Sequence, residues 1–327
     1  MLKFGIIGTN WITERFIEAA QEIKGFSLTT VYSRTEERAS EFARKFNVEH
    51  IETNLEAFAA SKDFEAVYIA TPNSLHKEQA ILCMKNGKHV LCEKPITSNA
   101  KDLQEMVDVA KKHNVVLMEA LKSTLLPNFI SIQENLHKIG EVRRYIASYC
   151  QYSSRYDKYK EGIVLNAFKP EFSNGSLMDI GIYTIYPMVV LFGAPNTIKG
   201  NAIMLESGVD GQGSVLFQYN KMDAVVTHSK IANSYTSTEI QGEDGTIIID
   251  KIHTPEKVQI LYKDGTIEDI SVEQNHASMY YEAAEFMNLV QNGQFESTAN
   301  SHKHSLITHT ILDEIRKQIG LVYPADQ

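Results

Sequence analysis

Two short runs hold the residue types that could move a proton. Glu93-Lys94-Pro95 closes an apolar run, Lys88-His89-Val90-Leu91-Cys92, and far downstream Asp179-Ile180-Gly181-Ile182-Tyr183 sets a carboxylate and a phenol four residues apart. On a helix, residues i and i+4 share a face, so Asp179 and Tyr183 can look into one cleft. A free phenol, with a pKa near 10, is a poor base at neutral pH, but a neighbouring ammonium favours its phenolate, and Lys94 is the candidate neighbour. An amine, a carboxylate and a phenol together suit proton transfer coupled to hydride transfer, as in the oxidation of a secondary alcohol. Each has a plainer reading. A tyrosine in an apolar helix is most often a core residue, Asp179 could cap the first turn, and a lone lysine is usually a solvated charge. Pro95 stiffens the loop after the strand and favours the functional reading of Lys94.

The hydride carrier is expected at the N-terminus. Lys3-Phe4-Gly5-Ile6-Ile7-Gly8 reads as a short strand ending in glycine, and Ile12, Phe16, Ala19, Ala20 and Ile23 recur with the period of one buried helix face. A strand, a tight turn and a helix in this order present helix N-terminal amides to a pyrophosphate. The run Gly8-Thr9-Asn10-Trp11-Ile12-Thr13 keeps only the first glycine of G-x-G-x-x-G; Asn10, tolerant of left-handed backbone, is expected to hold the turn with its side chain directed away from phosphate. Alone, this degenerate fingerprint is as well explained by an ordinary strand-turn-helix.

Further apolar runs, Phe26–Tyr32, Phe64–Ala70, Lys88–Cys92 and Val115–Met118, alternate with helical stretches and imply a parallel, doubly wound sheet. Ligands bind at the carboxyl ends of such strands, where Gly8, Ser33, Thr71 and Glu93 fall. After strand two comes Tyr32-Ser33-Arg34-Thr35, with no acid to grip a ribose 2′-hydroxyl. Ser33 and the Arg34 guanidinium suit a 2′-phosphate, so NADP is expected. Arg38 adds a second charge or is simply an exposed helix arginine; Glu36 and Glu37 weaken the field and leave NAD open.

With 327 residues and 43% apolar content the chain can fill two domains, placed by rhythm at 1–120 and 121–327, with the C-terminal helices free to pack back on the first. A net charge of −9 argues against nucleic acid or an anionic membrane as partner. Met1-Leu2-Lys3 enters the first strand with no signal-peptide layout, and Cys83, Cys92 and Cys150 lack metal or redox spacing, so a cytoplasmic protein is expected. The apolar segment Leu177–Ala194 carries Asp179, Gly181 and Pro187 and reads as a buried helix. From Val142 to about Val272 the pattern turns strand-rich, punctuated by Glu243-Asp244-Gly245 and Lys263-Asp264-Gly265. Two helices, near Met279–Gln291 and His302–Ile319, close the chain. The expected fold class is α/β: an N-terminal Rossmann doubly wound parallel sheet plus a C-terminal α+β domain with a large, mostly antiparallel open sheet. One sheet face has no cover, so self-association is expected.

The order of G-I-I-G, Ala70-Thr71-Pro72-Asn73 with His76, Gly87 to Pro95, Glu119-Ala120 and Gly175 to Tyr183 resembles the glucose-fructose oxidoreductase, inositol dehydrogenase and rhizopine-catabolism (Gfo/Idh/MocA) family over nearly the whole chain. The resemblance implies NAD(P)-dependent chemistry on sugars, polyols and related alcohols, and a homodimer or homotetramer built on the C-terminal sheet. It implies Lys94 as active-site lysine, Asp179 as acidic partner, and Tyr183 at the position where many members carry histidine; a phenol there resembles the glucose-fructose oxidoreductase and dimeric dihydrodiol dehydrogenase branches. The candidate cofactor contacts are Gly8, Thr9, Asn10, Trp11, Ile12, Ser33, Arg34, Arg38, Thr71, Pro72, Asn73, His76, Glu93, Lys94 and Glu119, of which the resemblance places Thr71, Pro72 and Asn73 beside the nicotinamide ribose, with His76 capping or lining the same loop. Leu121-Lys122-Ser123-Thr124 departs from the aromatic and arginine-rich pattern of many relatives and leaves the substrate open.

Lys122, Arg155, Tyr156, Asn166 and Phe168 are candidates to line a pocket, because Tyr152–Asn174 is a long polar-aromatic connection before the helix of Tyr183. His302 and His304 do not share a helix face, and no metal is expected. Three functions stay in view: an NADP-dependent dehydrogenase or reductase, an NAD-dependent glycosidase using transient oxidation, and a non-catalytic NADP-sensing regulatory protein.

Overall fold

Alternating apolar runs and amphipathic helices produce the expected parallel sheet. The computed structural model describes residues 1–327 and falls into two units, Met1–Leu121 with His276–His302, and Lys122–Asn275 with Lys303–Gln327. In the first unit, strands β1 (Leu2–Ile7), β2 (Phe26–Tyr32), β3 (His50–Glu52), β4 (Ala66–Ile69), β5 (His89–Glu93) and β6 (Leu117–Ala120) pair in parallel in the order β3-β2-β1-β4-β5-β6. The order reverses between β1 and β4, the topological switch point where such sheets bind ligands. Strand β3 has no hydrophobic alternation, being three polar-flanked residues at the sheet edge, and periodicity misses it.

The helix Trp11–Ala20 packs Phe16 onto Tyr68 with ring centroids 3.8 Å apart, and Phe4 lies 5.8 Å from Phe286 of the helix Ser278–Gln291. Residues 276–302 thus return to the first unit, whereas Lys303–Gln327 belong with the second. The cause is the apolar face of Met279, Ala283 and Phe286, all buried there.

The second unit holds strands β7 (Val142–Cys150), β8 (Thr197–Met204), β9 (Asp210–Gln218), β10 (Asp223–Ser229), β11 (Thr238–Gly242), β12 (Gly245–Ile249), β13 (Val258–Tyr262) and β14 (Ile267–Asp269). They form one sheet in the order β14-β13-β12-β11-β7-β10-β9-β8, antiparallel except for β7 beside β10. Strand β8 escapes a propensity reading because Gly200 and Asn201 interrupt it. Alternate residues Tyr145, Ala147, Val215, Phe217, Ala224, Val226 and Ile240 are buried on one face, while Leu216 on the other is 57% exposed. The apolar stretch Pro170–Phe192 is long and apolar enough to cross a membrane, yet 72% of its apolar window is buried within the protein.

Candidate functional site

In the first unit the candidate residues gather where parallel strands end. Gly8 follows β1 with φ +109°, and a Cβ there would meet the Ala70 carbonyl oxygen at 2.6 Å. Only glycine lets the first turn close against the end of β4. Asn10 departs from expectation: its backbone is extended, not left-handed, and it is the N-cap of the helix Trp11–Ala20. Its Oδ1 accepts from the amides of Ile12 at 3.0 Å and Thr13 at 3.3 Å, and its Nδ2 donates to the Ala70 carbonyl at 2.6 Å. The cap consumes two amides, leaving those of Thr9, Asn10 and Trp11 ahead of it as the candidates to meet phosphate. Ser33 and Arg34 follow β2, with Arg34 exposed, and Arg38 Nη2 reaches back to the Thr9 carbonyl at 3.5 Å. Trp11 is 57% exposed.

Lys94 is half-buried after β5, and its bond to Pro95 is cis. Three candidates near it turn inward instead of outward. Glu93 accepts from Tyr68 Oη at 2.6 Å inside the unit, and Glu119, 1% exposed, accepts from the amide of Ile96 at 3.0 Å. His76 is fully buried, with Nε2 2.8 Å from the Thr71 carbonyl and Nδ1 3.0 Å from the Pro95 carbonyl; burial lowers its pKa, against the opposing pull of those carbonyls. His76 and Glu119 therefore brace the Thr71 and Lys94 loops from beneath. Thr71 Oγ1 donates to Gln79 at 2.6 Å, and Thr71, Pro72 and Asn73 remain partly exposed at the end of β4.

In the second unit the helix carrying Asp179 and Tyr183 begins as a π-turn, Leu177–Gly181, and continues as an α-helix, Ile182–Phe192, with Pro187 inside it. Such wide turns recur at functional sites. A Cβ on Gly181 would stand 3.1 Å from the His228 ring, so glycine lets the helix sit close on β10. From Leu177 to Val189, Asp179 and Tyr183 are the two residues that are not buried. Asp179 does not cap the helix. Asp210 does so, accepting from the Leu177 amide at 2.7 Å, and burial pushes its pKa up to about 6.

Two groups escaped the sequence reading. Lys230, 3% exposed, donates to Asp179 Oδ2 at 2.5 Å. Alternation along β10 was the available signal: Ala224, Val226 and His228 face inward, and Lys230 follows in phase. The other is an aromatic wall. The ring of His253 stacks on Tyr149 at 4.0 Å, and Tyr149 meets the Tyr183 ring edge-on at 5.8 Å. Lys122 lies close enough to help hold the His253 pKa down. Of the remaining pocket candidates, Tyr156 and Phe168 meet with ring centroids 5.8 Å apart. Tyr156 packs against Tyr159 and Tyr152, Arg155 and Asn166 are exposed, and Phe168 is fully buried at 5.2 Å beneath the Lys230 ammonium. Phe168 is a core support and not a pocket surface, because its ring has no exposed area.

Residues 2–121 match the family model described as oxidoreductase family, NAD-binding Rossmann fold, and residues 135–248 match the GFO/IDH/MocA C-terminal domain. The chain is 59% identical over its full length, and the relative's, to scyllo-inositol 2-dehydrogenase (NADP(+)) IolU of Bacillus subtilis (strain 168). It is 30% identical to the trans-1,2-dihydrobenzene-1,2-diol dehydrogenase of Mus musculus, covering 100% of this chain and 99% of that one. Among solved structures, a 3-ketoreductase from Actinomadura kijaniata in complex with NADP and TDP-benzene superposes with a TM-score of 0.85 at 23% identity, covering 97% of this chain and 98% of that one.

Proposed function

The chain belongs to the GFO/IDH/MocA oxidoreductase family, and from that premise we propose that it interconverts a secondary alcohol of a cyclic polyol or sugar and the matching ketone, with NADP as redox partner. The observation that carries the reading is the single polar opening in an otherwise buried helix, made by Asp179 and Tyr183 one turn apart. A cyclic polyol is the favoured substrate because the full-length relative at 59% identity acts on scyllo-inositol.

The first unit fits the dinucleotide. Gly8 keeps the first turn tight against the end of β4, where a side chain would strike the Ala70 carbonyl, the N-terminal amides of the helix Trp11–Ala20 lie beside it, and Ser33 and Arg34 follow the second strand where an acid would grip a ribose hydroxyl. Arg34 supplies the fork for the 2′-phosphate, and Arg38, bonded to the Thr9 carbonyl, closes the same turn. When bound, NADP accepts hydride from the carbinol carbon or returns it to the carbonyl.

Tyr183 takes the hydroxyl proton as the C–H bond breaks and gives it back in reduction, so one alcohol and one NADP+ give one ketone, one NADPH and one proton. Lys94 favours the phenolate and holds the substrate oxygen; Asp179 accepts from a neighbouring hydroxyl. A homodimer or homotetramer forms through the open sheet face, where Leu216, Leu261 and Ile203 lie exposed.

A substrate panel tests the proposal. Inositols, aldoses and dihydrodiols are offered with NADP and with NAD while nicotinamide absorbance is followed. Reduction of NADP by a ring polyol is the expected result. Firmly held cofactor with no net reduction by any alcohol, and release of an alcohol from a glycoside instead, would replace this reading with transient oxidation during glycoside cleavage.

A further inference from the structure

We infer that Lys230 is a positioning residue for this chemistry, pinning the Asp179 carboxylate and the far end of the 152–174 connection in one arrangement. The inference rests on the assignment of Asp179 to the reacting site. Lys230 is tied at four points. Its amide donates to the Gly211 carbonyl at 2.9 Å and its carbonyl accepts from the Ser153 amide at 2.8 Å. Its ammonium donates to Asp179 Oδ2 at 2.5 Å and to the Ala167 carbonyl at 3.4 Å, above the Phe168 ring at 5.2 Å. One residue thereby joins Ser153 near the start of the connection, Ala167 near its end, and the carboxylate on the helix of Tyr183.

The pair is lopsided. The Lys230 side chain is 4% exposed and that of Asp179 34%. A buried ammonium costs several kcal/mol unless paired and hydrogen-bonded, so the cation is held in place by its need for the carboxylate and the carbonyl. Here the sealed cation fixes the rotamer and charge of an anion that faces outward, ready to accept from a substrate hydroxyl. Fixing an acceptor in advance removes the entropy of ordering it when substrate arrives.

The test is a set of variants, Lys230→Met, Lys230→Gln, Lys230→Arg, Asp179→Asn and the double variant Lys230→Met/Asp179→Asn. Each is assayed for kcat, KM for the alcohol, pH profile, NADP affinity and thermal midpoint. Loss of an orienting partner costs about 10- to 100-fold in activity, so Lys230→Met is expected to lower kcat/KM by that factor with NADP affinity unchanged. The acidic limb of its kcat/KM profile should move to higher pH, because Asp179 loses a cationic neighbour. Lys230→Arg should recover most of the loss. In the Asp179→Asn background, Lys230→Met should cost about 3-fold or less, since residues acting as one unit are not additive. Lys230→Gln keeps a hydrogen-bond donor without the charge, and carries the test if the methionine variant does not fold. Wild-type kcat/KM and pH profile in a folded Lys230 variant, or losses that simply multiply in the double variant, would overturn the inference while leaving the proposed reaction intact. A wild-type protein that binds NADP yet oxidises no alcohol would overturn both.

Discussion

His253 and Tyr149 lie ring on ring, 4.0 Å between centroids and 23° between planes, and the Tyr183 ring meets His253 edge-on at 6.4 Å. Burial above all, then Lys122 and Lys251, presses the His253 pKa down to about 4. At neutral pH the imidazole is therefore uncharged and serves as a flat wall beside the phenol. A ring polyol can lay its C–H face on such a wall. Aromatic contacts of this kind are worth about 0.5–1.5 kcal/mol, so His253→Ala should raise KM for the alcohol about 2- to 12-fold with a smaller change in kcat. Steady-state kinetics decide it, and His253→Phe should retain most of the affinity.

Stability should respond to pH through groups that folding shields from water, among them His228, His253 and Asp210. Burial lowers His228 to about 3 and, with the neighbouring lysines, His253 to about 4, whereas it raises Asp210 to about 6. Between about pH 4.5 and 6 the unfolded chain carries protons on both histidines that the folded chain refuses, and acid therefore destabilises. Asp210 works the other way, since in that window the folded chain holds a proton that the unfolded chain releases. From these three groups the net is about one proton, or about 1.4 kcal/mol lost per pH unit on acidification. Urea unfolding from pH 6 to 4.5 should therefore show a shallower slope in His253→Phe than in wild type, and a steeper one in Asp210→Asn. Parallel slopes in all three proteins would contradict these assignments.

How much of this was legible in the sequence follows from the kind of signal each feature leaves. The parallel sheet was readable because β1, β2, β4 and β5 are apolar runs between amphipathic helices, and Lys94, Asp179 and Tyr183 stood out by residue type and spacing. The reading of Asn10 failed because tolerance of left-handed backbone and skill at N-capping belong to the same side chain, and the cap won. Glu93, Glu119 and His76 sit among ligand-facing residues, but which way a side chain turns at a strand end is a tertiary outcome, and these turn inward. Phe168 looked like pocket lining because it lies in a polar connection; only the fold puts it under Lys230. His253 lies in a loop with no periodicity at all, and nothing local marks it as a partner of Tyr149.

Gly175 should not tolerate a side chain. Its φ is +140°, and an added Cβ would run into Asp210 Oδ1, the partner oxygen of the atom that caps Leu177. Gly175→Ala is expected to cost about 1–3 kcal/mol from backbone strain alone, with further loss if Asp210 leaves the helix end. Because that helix carries Asp179, activity should fall more than the drop in thermal midpoint explains. Differential scanning calorimetry with parallel assays checks this, and an unshifted midpoint would contradict both the strain and the clash with Asp210.

Coenzyme choice should follow Arg34. A charge-assisted contact to a phosphate contributes about 1.5–3 kcal/mol, so Arg34→Ala should raise KM for NADP about 12- to 160-fold and leave KM for NAD nearly unchanged. Ser33→Asp should push preference further toward NAD by repelling the phosphate and gripping the ribose hydroxyl. Equal losses for the two coenzymes in Arg34→Ala would move the phosphate contact elsewhere, with Arg38 the next residue to substitute.

Tyr183→Phe, which removes one oxygen atom and keeps the ring against Tyr149, is the most direct probe of the proposed chemistry. The measurement is kcat for oxidation of the best polyol or sugar, alongside NADP affinity by fluorescence titration. Loss of a general acid-base group costs about 10²- to 10⁴-fold, so kcat should fall within that range while NADP binds as in wild type. A variant that still turns over within a few-fold of the wild-type rate would contradict Tyr183 as the group that moves the proton.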